Sequence, residues 1–182
     1  LDGAYASHPD LDTKRVLESL YQSAVYYAER LLKHHYFRVD PLASVFWRVY
    51  MGQPQRRYDG AGVHELAIDE SGDIYPSKGL IGVSDYRVGS LSDGTIDESA
   101  LVAFNDVGAL TTPPCMRCWV RYLCGGGPVA VHHARTGSFR RPDETWCEAQ
   151  RSWMAAAVSA FQALSSAGVH FERVYKTLGK KE

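Results

Sequence analysis

The chain has 182 residues, 45% apolar and 23% charged, and its 20 Lys and Arg against 21 Asp and Glu give a formal net charge of −1. That length is enough to bury a real core, in one medium domain or a domain with appended helices, and the balance is ordinary for a globular protein. The charge lacks the polybasic footprint of a nucleic-acid binder, and no run of eighteen apolar residues offers a membrane span, so neither nucleic acid nor membrane is expected as a partner. No signal peptide is visible, and a cytoplasmic location is expected. There is no internal repeat and no low-complexity tract.

After a polar lead, the spacing predicts a long helix from about Asp10 to Lys33. Val16, Leu17, Leu20, Tyr21, Ala24, Ala28, Leu31 and Leu32 recur at three- and four-residue steps and form one apolar stripe. Ser7 or Asp10 is placed to cap its start. Tyr26 and Tyr27 are expected in core or rim packing, and His34-His35 at a solvated helix end favoured by the dipole. Pro41 opens a second short helix carrying Phe46, Trp47 and Tyr50 and ending near Gly52. The polar, basic segment from Gln53 to Arg57 reads as a linker.

Val63 to Ile68 and Asp73 to Tyr75 predict two strands joined by a turn at Glu70-Ser71-Gly72. A turn-rich stretch follows, with Gly79, Gly82, Gly89 and Asp93-Gly94, and then a short helix from Asp97 to Phe104. Thr111-Thr112-Pro113-Pro114 is expected to break regular structure. Pro142-Asp143 begins a helix running to about Ser166, with Asp143 as N-cap and Met154, Val158, Phe161 and Leu164 facing the core. Val169 to Tyr175 reads as a strand or extended tail. These elements predict an α+β fold: a small domain over residues 55–150, with a β-hairpin and Cys-rich loops, between a helical segment at 1–54 and a C-terminal helix and tail at 151–182.

Every cysteine falls in one stretch, spaced Cys115-x2-Cys118-x5-Cys124-x22-Cys147. Thiolates are the ligands of Zn²⁺ and of iron–sulfur clusters, and four satisfy either centre. The x2 gap turns two sulfurs toward one centre across a tight loop. Gly125-Gly126-Gly127 supplies positive-φ freedom and close approach to a bulky centre. Cys147 lies in the first turn of the last long helix, where aligned amide dipoles favour a thiolate. Two disulfides or four unrelated buried thiols are the competing readings, and a single four-thiolate centre is favoured over both. His132-His133, between Cys124 and Cys147, are expected around the centre or at the surface rather than in a shell that four thiolates already fill. Arg135, Arg140 and Arg141 form a basic run that suits an acidic peptide, the charge of a cluster, or plain solvation.

The stretch Cys115-x2-Cys118-Trp119-x4-Cys124-Gly-Gly-Gly, with a later cysteine near Pro-Asp, resembles the second half of a SPASM domain, the C-terminal extension of many radical S-adenosylmethionine peptide maturases. The resemblance extends upstream over roughly residues 55–150. Asp59-Gly-Ala-Gly stands where the family reads Cys-Gly-x-Gly, and Ser71-Gly-Asp-Ile-Tyr-Pro-Ser77 where it reads a hairpin with Asp-Gly-Asp-x-Tyr-Pro-Cys. Tyr86-Arg-Val-Gly-Ser90 resembles the family's Phe-x-x-Gly-Asn turn. The resemblance implies that Cys115, Cys118, Cys124 and Cys147 hold the second auxiliary [4Fe–4S] cluster. It also implies that the first auxiliary cluster is lost, because three of its cysteine positions carry Asp59, Ser77 and Pro128, which offer no thiolate.

The family's catalytic Cys-x3-Cys-x2-Cys loop is absent, and too few residues precede Asp59 for its barrel, so radical S-adenosylmethionine chemistry by this polypeptide alone is not expected. No Gly-x-Ser-x-Gly elbow, P-loop or Rossmann glycine pattern appears either. The expected function is that of a non-catalytic accessory protein or domain. It would hold one [4Fe–4S] cluster and work with a radical S-adenosylmethionine enzyme or its peptide substrate, or as a homo-oligomer meeting through the hairpin and first helix. The alternatives are a zinc-stabilised peptide-binding module without redox function and an enzyme of its own. A hydrolytic trio of Asp59, His64 and Ser77 has little in the sequence behind it.

Overall fold

A computed structural model describes residues 13–176 and shows a mixed helix-and-sheet, α+β architecture. In chain order the helices are α1 (Thr13–Leu32), α2 (Leu42–Met51), α3 (Glu98–Asn105), α4 (Pro113–Met116), α5 (Arg121–Cys124), α6 (Val129–Thr136), α7 (Glu144–Ser166) and α8 (Phe171–Lys176). Four short strands, β1 (Ala67–Ile68), β2 (Asp73–Tyr75), β3 (Gly89–Ser90) and β4 (Thr95–Ile96), precede α3. The described chain divides into two units, one of residues 55–147 and the other of residues 13–54 with 148–176. Among the described residues no helix is long and apolar enough to cross a membrane.

The helical unit is organised on aromatic contacts. Tyr27 of α1 stacks on Phe46 of α2 at 5.9 Å and meets Phe37 edge-on at 5.1 Å, while its hydroxyl donates to the Phe37 carbonyl at 2.7 Å. Phe46 also touches Phe161 of α7 and Phe171 of α8, which stack on each other at 4.5 Å. Each such pair contributes about 0.5–1.5 kcal/mol beyond its buried area. The buried seam of α1 is Ala24, Tyr27 and Leu31, whereas Tyr21 and Leu32 of the predicted stripe are exposed. The seam is thus rotated toward Tyr27, whose ring reaches the carbonyl of Phe37, and Tyr26 stands in solvent. The capping candidates Ser7 and Asp10, and the side chains of Val16 and Leu17, lie outside the described residues.

α1 ends with His34 at φ 60°, where the His34 N–H donates to Leu31 and the His35 N–H to Arg30, so that a histidine takes the left-handed place usually held by glycine. Gly52 does the same for α2 at φ 61°. Where the sequence predicts a strand or tail at Val169–Tyr175, the chain forms α8. Phe171 and Val174, three residues apart, both turn inward, which selects the helical period.

The other unit carries an antiparallel sheet in the order β1-β2-β3-β4, with Ala67 opposite Tyr75, Asp73 opposite Ser90, and Ser90 opposite Thr95. The predicted strand at Val63–Ile68 is shorter than expected. The carbonyl of Gly60 accepts the N–H groups of Val63, His64 and Glu65, which curls the chain until Ala67. β3 and β4 come from the stretch predicted as turns. Gly89 is required there because a Cβ would lie 2.2 Å from the Thr95 carbonyl oxygen.

Asp97 caps α3 by accepting the Ala100 N–H at 3.0 Å. Thr111–Pro114, predicted to break regular structure, instead starts α4, since prolines suit the first helical positions whose N–H groups need no partner. The core of this unit joins Ala61, Leu80, Phe104, Val107 and Val129, with Phe139 stacked on Phe104 at 4.3 Å.

Candidate metal centre

The segment that carries the thiols is built from α4, α5, α6 and the start of α7 rather than from open loops. Cys115 is in α4, Cys118 follows it with its N–H donating to the Cys115 carbonyl at 3.0 Å, and Cys124 closes α5. Cys147 lies in the first turn of α7, its N–H donating to the Asp143 carbonyl at 3.0 Å. None of the four cysteines is in a disulfide; Cys115 and Cys124 are buried, and Cys118 and Cys147 are half-buried.

Burial and neighbouring thiols act on Cys115 and Cys124. Burial first, and then the charges of Cys124 and Cys118, push the Cys115 thiol up to about 11. Burial raises Cys124 as well, and the Cys118 charge adds to this, while hydrogen bonds from the Gly126 and Gly127 backbone pull the other way. Backbone N–H groups aimed at a cysteine sulfur favour the anionic form that metals need. The Cys115 Sγ also stands 4.0 Å from the Gly126 carbonyl. Among the described residues, no three His, Cys, Asp or Glu side chains stand in ligating geometry. The donor chemistry, four cysteines in one segment, fits a thiolate-held centre.

The triple glycine takes the positive φ that the sequence predicts. Gly125, Gly126 and Gly127 have φ of 76°, 103° and 84°. A Cβ on Gly125 would lie 2.5 Å from the Arg57 backbone, and one on Gly127 would lie 2.3 Å from the His132 Nε2. The close neighbours are thus backbone and an imidazole.

His132 is fully buried, not at the surface. Its Nε2 is 3.0 Å from the Gly126 carbonyl, its Nδ1 accepts the Asp143 N–H at 3.1 Å, and burial lowers its pKa. His133 is half-buried and pairs with the Tyr86 hydroxyl at 3.1 Å.

Asp59, Ser77 and Pro128 lie on segments tied to one another by hydrogen bonds of their neighbours. Asp59 accepts the Ala61 N–H at 3.3 Å and, through its other oxygen, the Val129 N–H at 3.2 Å, directly after Pro128. The Gly62 N–H donates to the Pro76 carbonyl at 2.8 Å, and the neighbouring Ser77 hydroxyl reaches Glu65 at 3.4 Å. Burial raises the Asp59 carboxyl, the two backbone hydrogen bonds lower it, Glu65 raises it and Arg57 lowers it. The Ser77 hydroxyl therefore pairs with Glu65 rather than with His64, and the oxygens of Asp59 are taken by backbone N–H groups.

Two contributors went unmarked in the sequence. Glu65 ties Ser77 and Lys78 to the Gly60 turn. Arg57 donates to the carbonyls of Ala61, Phe104 and Asn105. Neither belongs to a motif, because their partners, the Ser77 hydroxyl and backbone groups, are brought near only by the fold.

Charge is uneven around the thiols. Residues 107–142 hold five Arg and neither Asp, Glu nor Lys. Arg121 donates to the Cys118 carbonyl at 3.3 Å and lies 4.6 Å over the Tyr122 ring, Arg140 bonds the Ala103 carbonyl, and Arg135 approaches Asp143 at 3.7 Å. Met116, Trp119 and Tyr122 stand exposed beside these arginines. No protein-family model matches the chain, and a search of curated proteins finds no match.

Proposed function

We propose that the chain is a non-catalytic iron–sulfur accessory protein or domain of a radical S-adenosylmethionine peptide-modification system, acting in the cytoplasm. Cys115, Cys118, Cys124 and Cys147 would hold one [4Fe–4S] cluster, which when bound supplies an electron-transfer centre. The observation that carries this reading is the placement of four cysteines outside any disulfide in one segment of the fold, with the Cys115 Sγ 4.0 Å from the Gly126 carbonyl in the turn after Cys124. The gathering of Asp59, Ser77 and the Pro128–Val129 step at one place supports the SPASM resemblance, as does their lack of thiols for a second cluster.

The protein's own residues have three tasks here. The thiols supply the anionic donors, the backbone of Gly126 and Gly127 steadies the Cys124 sulfur, and the arginines offset the negative charge of a thiolate-held centre. Exposed Trp119, Tyr122 and Met116 beside Arg117 and Arg121 have the composition of a binding surface, which suits a partner enzyme or its peptide.

Anaerobic purification with iron, sulfide and zinc analysis tests this reading. A brown protein that plateaus at one cluster per chain under excess iron and sulfide is expected. A colourless protein with one zinc per chain would replace it with the zinc-stabilised binding module. Two clusters per chain would overturn the reading of Asp59, Ser77 and Pro128, and a protein taking up neither metal would overturn the centre itself.

A further inference from the structure

We propose that His132 is the positioning residue of the thiol site, a clamp that holds the turn after Cys124 against the helix start bearing Cys147. Only one arrangement of its protons fits its neighbours. A carbonyl accepts and cannot donate, so the nitrogen facing the Gly126 carbonyl at 3.0 Å must carry the hydrogen. A backbone N–H donates and cannot accept, so the nitrogen facing the Asp143 N–H at 3.1 Å must be bare. The ring is therefore neutral, with both nitrogens engaged and none free for a metal. This separates the clamp from the role of a fifth ligand.

Each end of the clamp leads to thiols. The Gly126 carbonyl that accepts from His132 is the one standing 4.0 Å from the Cys115 Sγ, and Gly126 follows Cys124 by two residues. At the other end, Asp143 donates its N–H to the ring while its carbonyl accepts the Cys147 N–H at 3.0 Å and its carboxylate caps the Trp146 N–H at 2.8 Å. Trp146 stands perpendicular to the imidazole at 5.5 Å, and Gly127 has no side chain to push the ring aside. Cys124 and Cys147 are 23 residues apart in sequence. One buried ring joins the backbone beside the first to the backbone that orients the second. Partners of this kind that orient metal ligands typically change metal affinity by roughly 10- to 100-fold when removed.

The inference rests on the reading of the four thiols as one centre, so its test carries one arm with metal and one without. His132→Phe keeps a ring of similar size and loses both hydrogen bonds. His132→Gln keeps an amide N–H able to reach the Gly126 carbonyl. In the metal-free arm, N-ethylmaleimide labelling is followed for each cysteine by peptide mass spectrometry. Cys147 should label several-fold faster in His132→Phe, with Cys115 and Cys118 little changed, and His132→Gln should recover part of the protection. In the metal arm, cobalt(II) should give a thiolate-to-cobalt charge-transfer band of four-thiolate intensity in the wild type. That band should fall to three-thiolate intensity in His132→Phe, with affinity lower by roughly 10- to 100-fold.

Equal acceleration at all four cysteines would mean a general loosening and would overturn the clamp, as would unchanged Cys147 labelling with an unchanged cobalt band. Should the wild type bind no cobalt, the four-thiol centre fails, and the Cys147 labelling still decides the clamp. If His132→Phe does not fold by circular dichroism, His132→Gln carries both arms. Intermediate Cys147 labelling supports the clamp, and wild-type labelling with the wild-type cobalt band overturns it.

Discussion

Two corners of the 55–147 unit make an instructive contrast. At one, burial first and then the charges of Cys124 and Cys118 push the Cys115 thiol up to about 11, so that it stays protonated near neutral pH. At the other, Asp59, Ser77 and the residue after Pro128 are closed by hydrogen bonds from the chain itself. The first corner is an unfinished electrostatic problem. The second is a finished one, with a carboxylate bridging a turn to a helix start. Residues of similar burial can therefore mark opposite roles, and whether a polar group's partners already exist within the chain tells them apart.

The sharpest way to break this contrast is to remove a thiol. On the proposed reading of the thiols as one metal centre, Cys118→Ala should strip the metal and lower the melting temperature by the largest margin, since structural metal sites contribute on the order of 10 kcal/mol in small domains. Metal analysis and calorimetry on the same sample check this. The same reasoning predicts little change in metal content from Ser77→Ala.

Gly127→Ala should follow in size. Its Cβ would meet the His132 Nε2 at 2.3 Å on a residue at φ 84°, and left-handed backbone alone costs an L-residue roughly 1–2 kcal/mol. With the displaced ring added, a loss of about 3 kcal/mol is expected in denaturant unfolding of the metal-free chain.

Asp59→Asn probes the closed corner. Burial raises the folded pKa of Asp59 above its ordinary 3.8. Its contribution to stability is therefore fully present below that value and is lost as pH rises through the folded pKa. The wild-type minus variant difference in unfolding free energy should fall across that window and level off above it. Removing the carboxylate altogether in Asp59→Ala should cost about 1–3 kcal/mol, because two backbone N–H groups lose their acceptor.

The smallest effect is kinetic. With Cys115 pushed up to about 11, its alkylation by iodoacetamide in the metal-free protein should be slow at neutral pH. The rate should climb about tenfold per pH unit through pH 9 without a plateau. A plateau near pH 8 would show that the thiols do not crowd one another.

Long elements with marked ends were legible in the sequence. α2 sits between Pro41 and Gly52, α3 behind the Asp97 cap, and α7 behind Asp143, because caps and periodic apolar residues act locally. The short elements were not. β3 and β4 have two residues each and owe their pairing to neighbours across the sheet. α5 and α6 hide in a segment where cysteines and glycines mask any period.

The cysteines were legible as a set, since thiols at such spacing have few other uses. Their setting was not, because His132, Asp143 and Gly126 meet through backbone groups that carry no sequence signature. The triple glycine takes the positive φ expected of it, and of the two places expected for His132, around the centre or at the surface, the surface is excluded. The glycines admit backbone and an imidazole, and the histidine belongs to the interior.

The uneven charge of residues 107–142 has a consequence for handling the protein. That stretch carries five Arg and no acid, and the rest of the chain carries 15 basic and 21 acidic residues, so a molecule of net charge −1 and isoelectric point near 6.7 is a patchwork of opposite signs. Added salt screens attraction between unlike charges over about 10 Å at 0.1 M. Solubility should therefore rise with moderate salt, the salting-in behaviour of a nearly neutral but internally polarised colloid.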